Sequence, residues 1–104
     1  MRNPIIILSE KITKKLKEDI NDRQKRLWKT LEFHLSDFVT VGGIGTIVKS
    51  SGVYEWGMGV FYYQLGRDLD NLAHWGYLEK TFMRTQSGYM SRAYRLGWRR
   101  IEND

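Results

Sequence analysis

The chain has no cysteine, and only one proline and two histidines in 104 residues. Without thiols there are no disulfides, no thiolate metal ligands and no cysteine nucleophile. His34 and His74 have no cysteine or spaced carboxylate beside them, so no zinc site and no cofactor are expected. Long apolar runs are also missing. Residues 38–51, interrupted by Lys49, and 56–66 fall short of the roughly 20 apolar residues of a membrane span. The apolar stretch 5–8 after Arg2 is too brief for a signal-peptide core. A cytoplasmic chain without membrane contact is therefore the expectation. What is present, 41% hydrophobic and 13% aromatic residues against 28% charged, is the composition of one folded globular domain.

Hydrophobic spacing predicts the elements. Residues 5–8 (Ile-Ile-Ile-Leu) read as a short strand or apolar arm. Ser9 is a helix cap, and Leu8, Ile12, Leu16 and Ile20 form a narrow apolar stripe on an amphipathic helix. Asn21-Asp22 can break or recap that helix, with one continuous bent helix as the equal alternative, and Leu27, Trp28, Leu31, Leu35 and Phe38 mark a second helical face ending near Ser36-Asp37. Residues 38–41 are a brief extended segment in which Thr40 can cap a helix carried by Val41, Ile44, Ile47 and Val48. Gly42, Gly43 and Gly45 fit that helix if a neighbouring helix comes close, and otherwise mark a segment that is partly a loop. After an aromatic turn at 54–59 a fourth helix starts near Met58. Its core face is Met58, Phe61, Tyr62, Leu65, Leu69 and Leu72, and its presented face is Val60, Tyr63, Arg67, Asp70, Asn71 and His74. Gly76 suits its C-terminal cap. Residues 77–83, a turn at 84–88 and residues 89–96 then read as a hairpin, and 98–103 as a short final turn.

The net charge of +5 is divided into blocks. Residues 1–35 hold nine basic and five acidic side chains, 36–79 two and five, and 80–104 six and two. From Lys80 to Ile101 there is no acid, while Lys80, Arg84, Arg92, Arg95, Arg99 and Arg100 alternate with Phe82, Tyr89, Tyr94 and Trp98. Such a stretch invites a polyanionic partner.

The order helix, short strand, helix, turn, helix, hairpin over residues 23–101 resembles the winged helix-turn-helix domains of bacterial, archaeal and phage transcription regulators. The segment Leu65-Gly66-Arg67-Asp68-Leu69-Asp70-Asn71-Leu72-Ala73-His74-Trp75-Gly76-Tyr77-Leu78 resembles the end of their recognition helix, and Arg92-Ala93-Tyr94-Arg95-Leu96 their second wing strand. The expected fold is α+β, mainly α: an N-terminal arm and amphipathic helix over 1–22, then a winged helix-turn-helix unit with a C-terminal β-hairpin wing over 23–104. The resemblance implies a sequence-specific double-stranded DNA-binding regulator, a repressor acting by operator occlusion. In related regulators extra terminal helices often make a homodimer. The exposed stripe of 9–20 favours that independently, with docking on the domain body as the alternative.

For such a role Arg67 can contact guanine, Gln64 or Asn71 adenine, and Tyr63 a phosphate or thymine methyl. Lys80, Arg84 and Arg92 on the hairpin can hold phosphates, with Arg84 at the tip entering a minor groove. Thr40, Lys49 and Ser51 can touch the backbone around the supporting helix. The competing reading is that Arg67 pairs with Asp70 or Asn71 and that the basic turn is merely solvated.

Other chemistries fail on the residues. Residues 43–50 (Gly-Ile-Gly-Thr-Ile-Val-Lys-Ser) approach the phosphate-binding loop but carry Val48 where its second glycine belongs. No nucleophile motif or paired acid and base is found, so neither an enzyme nor a small-molecule ligand is expected. The alternative function is a winged-helix protein-interaction module that uses the aromatic turn at 54–58 and the apolar arm.

Overall fold

A computed structural model describes residues 20–54 and 58–101. The readings for residues 1–19, for the turn residues 55–57, for the side chains of Met58 and Val60 and for the last residues, 102–104, lie outside those described.

The first helix of the described residues, α1 (Asp22–Leu31), is capped by Asn21. The Asn21 side chain accepts from the Gln24 amide at 2.8 Å, and Gln24 Oε1 accepts from the Asn21 amide at 3.3 Å, closing a capping box. Leu27, Trp28 and Leu31 are fully buried, and the Trp28 indole N–H donates to the Tyr77 carbonyl at 3.1 Å. The helix ends at Leu31 and not near Asp37. Leu35 still enters the core, but from a loop, because its carbonyl accepts the Leu96 amide at 2.9 Å. A tertiary hydrogen bond has replaced the helical one that periodicity alone suggested.

The strand β1 (Val39–Thr40) leads directly into α2 (Val41–Val48), which Thr40 caps by accepting the Gly43 amide at 3.4 Å. A Cβ on Gly45 would stand 2.7 Å from Tyr62 Cε1, so the glycine is where α2 and the next helix come close. That helix, α3 (Met58–His74), buries Phe61, Leu65, Leu69 and Leu72, as the spacing requires. Tyr62 is displaced from the core face to the rim, over Gly45. Gly76, at φ +85°, closes α3, with the Tyr77 amide donating to the Leu72 carbonyl at 2.9 Å.

The chain continues as β2 (Leu78–Arg84) and β3 (Met90–Leu96), joined by a turn in which the Thr85 amide donates to Tyr89 and Gly88 takes φ +89°. The sheet is antiparallel throughout, in the order β1-β3-β2, with Val39 opposite Tyr94 and Lys80 opposite Tyr94 on the other side. Leu78 and Tyr94 are buried on its core face. After β3 the chain crosses the end of α3. The Gly97 amide donates to Tyr77, the Arg99 amide donates to Gly76, and a Cβ on Gly97 would lie 2.2 Å from the Gly76 carbonyl oxygen. Residues 98–101 form no helix or strand. The described residues thus make a small α+β fold of three helices and a three-stranded antiparallel sheet. None of these helices is long and apolar enough to cross a membrane.

Candidate nucleic-acid interface

The helix α3 has three distinct sides. One is the apolar core face. A second, rotated toward α1, carries Asp68, which is only 1% exposed. The Arg23 guanidinium grips this carboxylate with Nε at 2.8 Å and Nη2 at 3.0 Å, while Gln24 and Gln64 Nε2 donate at 2.9 and 3.1 Å. The Tyr54 hydroxyl adds a short bond of 2.5 Å. Burial pushes the Asp68 carboxyl up, but Arg23, Tyr54 and Gln24 together outweigh it and hold the carboxyl below its ordinary range. Burial, followed by the bond to Asp68, pushes the Tyr54 phenol far up, so it is the proton donor of the pair. Gln24 Oε1 also accepts Asn71 Nδ2 at 2.9 Å, which joins the α1 cap to α3.

The third side faces the hairpin and carries Asp70. Arg92 Nη1 stands 2.7 Å and Lys80 Nζ 3.0 Å from its oxygens, and the Tyr94 hydroxyl donates to it. Burial raises this carboxyl, and the hydrogen bonds and charges of Tyr94, Lys80 and Arg92 lower it by more. Arg92 lies so close to α3 that a Cβ on Gly66 would stand 2.7 Å from its Nη2.

These networks sort the predicted DNA contacts. Tyr63 is 66% exposed and Arg67 is exposed beside it, with the guanidinium 5.8 Å from the ring centroid and Nη1 3.5 Å from the hydroxyl. Arg67 makes no ion pair with Asp70. Gln64 and Asn71, expected to read adenine, are instead half-buried and donate to Asp68 and Gln24. Lys80 and Arg92, expected to hold phosphate, are paired with Asp70. Arg84 remains exposed at the hairpin tip and, among the described residues, is bonded only to the Gly88 carbonyl at 3.1 Å. Thr40 spends its hydroxyl on the cap of α2, and Ser51 Oγ donates to Val48 at 2.6 Å. Lys49 is exposed.

The cations of the last quarter do not form one ridge. Strand alternation puts Lys80, Arg84 and Arg92 on one face and Arg95 on the other, where it bonds Glu79 at 2.9 Å and covers the Phe38 ring at 4.5 Å. Arg99 folds back over Tyr77, with its ring 4.3 Å away, and donates to the Trp75 carbonyl.

Sequence reading also missed residues. Asp68 follows Leu65 by three and precedes Leu72 by four, which is core spacing, and that was the available signal. Tyr54, assigned to a protein-contact turn, is buried. On α1, Lys25, Arg26 and Lys29 line a shallow depression of about 380 Å³ with Ser51 and Gly52, which gives Ser51 a cationic neighbourhood. Between α1 and α3 an open groove of about 590 Å³ is lined by Arg23, Gln64, Arg67, Asn71 and His74. No group of three or more potential metal ligands exists among the described residues. Comparison with known proteins finds no matching family model, no matching curated protein and no matching solved structure.

Proposed function

We propose that the chain is a winged helix-turn-helix protein that binds duplex DNA and represses transcription by occluding an operator. The element order α1-β1-α2-α3-β2-β3 and the sheet order β1-β3-β2 support the fold reading. The observation that carries the function is the exposed Tyr63–Arg67 edge of α3, cationic and without a carboxylate partner among the described residues. Arg67 supplies a base contact in the major groove, Tyr63 a phosphate or methyl contact, and Arg84 a backbone anchor. Lys25, Arg26 and Lys29 extend the phosphate-facing surface beside Ser51. Lys80 and Arg92 hold the hairpin to α3 through Asp70 and set the wing's angle.

Fluorescence anisotropy with labelled duplex at two salt concentrations tests this. Binding is expected to weaken steeply with salt, with a log–log slope of about −3 to −5 from a handful of phosphate contacts. Arg67→Ala is expected to relax sequence preference, with a loss of about 1–3 kcal/mol on a preferred site. Arg84→Ala weakens all sequences alike. No binding at low salt rejects the reading, and unchanged affinity in both variants rejects the site.

A second reading, a winged-helix protein-interaction module, is favoured by one observation. The outer hairpin exposes Phe82, Met83, Tyr89 and Met90, with Phe82 and Met90 each 59% exposed. Full-length protein that ignores DNA at low salt leaves this reading in place.

A further inference from the structure

The hairpin has one open edge, and its hydrogen-bond parity can be derived. The Gly97 amide donates to Tyr77 and the Thr85 amide donates to Tyr89, at the two ends of the β2–β3 ladder. The register between those ends makes Glu79, Thr81 and Met83 the residues hydrogen-bonded to β3. Lys80, Phe82 and Arg84 therefore turn their backbone N–H and C=O groups to the opposite edge, where no strand pairs with them among the described residues. Edge strands are commonly guarded by a protruding lysine. Here Lys80 is drawn back onto Asp70, with its Nζ 5.4 Å from the Phe82 ring, and Phe82 and Met83 stand exposed on opposite faces of the strand.

We propose that β2 pairs antiparallel with β2 of a second copy of this chain, across a two-fold axis at Thr81. Charge, parity and full overlap of the seven β2 residues select the register. Only outward-turned residues can form hydrogen-bonded pairs with one another. Centring on Lys80 opposes two lysines, and centring on Phe82 opposes Lys80 with Arg84. Centring on Thr81 sets Lys80 against Phe82 of the second copy and Glu79 against Met83. Like charges stay apart, and each lysine gains an aromatic face. A self-complementary strand of this kind fits an isologous dimer, in which each contact occurs twice. The inference does not depend on DNA binding.

The absence of native cysteine makes the test direct. In the non-hydrogen-bonded pair at the axis, the two Thr81 Cα atoms would lie about 4.5 Å apart, within disulfide reach. Two Met83 positions would be roughly 13 Å apart along the strands. Full-length protein carrying Thr81→Cys, under mild oxidant, is expected to form a reducible dimer at least tenfold faster than Met83→Cys or Ser87→Cys. Light scattering of the unsubstituted chain should report a dimer, and Phe82→Lys, which sets a lysine against Lys80 of the second copy at both pairs, should raise the dimer Kd at least tenfold, with its fold checked by circular dichroism. A monomer at every concentration overturns the proposal. So does a dimer that survives Phe82→Lys, or equal crosslinking at positions 81, 83 and 87, since either places the contact elsewhere, such as at residues 1–22.

Discussion

Asp68 and Asp70 are two residues apart on one helix and serve different ends. A two-residue step turns an α-helix by about 200°, so one carboxylate faces α1 and the other the hairpin. Asp68 is buried and saturated by Arg23, Gln24, Gln64 and Tyr54. Asp70 has a side chain 39% exposed and is matched to two hairpin cations and Tyr94. Both are lowered carboxyls, yet the cost of removing them differs. A buried hydrogen-bonded carboxylate leaves polar groups stranded when deleted, whereas a half-exposed one is replaced by water. The first welds the helices together. The second sets where the hairpin stands and how much of its charge is available.

Asp68→Ala should give the largest effect. Loss of its partners is expected to cost about 3 kcal/mol, at the lower end for a broken buried pair because Arg23 retains some water access, and is read as a lower urea midpoint. A loss below about 1 kcal/mol would equate the two sites. The same contrast appears with pH. Each carboxyl titrates below its ordinary value of 3.8, so its stabilisation is complete above about pH 5 and is lost as pH falls through that value toward the lower folded one. Asp68→Asn should flatten the acid limb of stability more than Asp70→Asn, as followed by thermal melts between pH 3 and 7. Equal flattening breaks the comparison.

Asp70→Asn is expected to cost less than about 1 kcal/mol of stability. It frees Lys80 and Arg92, so low-salt DNA affinity should rise and the log–log salt slope steepen by about 1–2. Unchanged salt dependence would mean the hairpin cations do not meet DNA. Gly66→Ala should be smallest, within about 0.5 kcal/mol. The helix gains roughly 1 kcal/mol of propensity, while the new methyl displaces the flexible end of Arg92. A shift of the Arg92 Nε–H resonance without a change of midpoint would mark that displacement, and a loss above about 2 kcal/mol would sink it.

The elements were largely legible because local chemistry agreed with packing. Asn21, Thr40 and Gly76 end or begin helices by side-chain or backbone bonds available within a few residues. Leu35 was misread because the bond that ends its helical run comes from Leu96, far along the chain. The site was less legible for the same reason. Charge blocks reveal that Arg92 and Arg95 have no acidic neighbours in sequence and that Lys80 has none after it. They do not reveal that Asp70 and Glu79 reach them from other elements. Gln64 and Asn71 sit at positions a helical wheel leaves half open, and Asp68 alone decides which way Gln64 turns. Among the described residues, no carboxylate pairs with Arg67 or Arg84, and they and Tyr63 keep their exposure.

The crossing of Gly97 over Gly76 constrains evolution more than it constrains energy. A methyl on Gly97 would run into the Gly76 main chain, while one on Gly76, at φ +85°, would be strained and would meet the Trp98 indole. Descendants of this fold that preserve the crossover are expected to hold both glycines as a linked pair, while the arginines around them drift freely. Distant kin would then be recognised by that paired smallness sooner than by any charged residue.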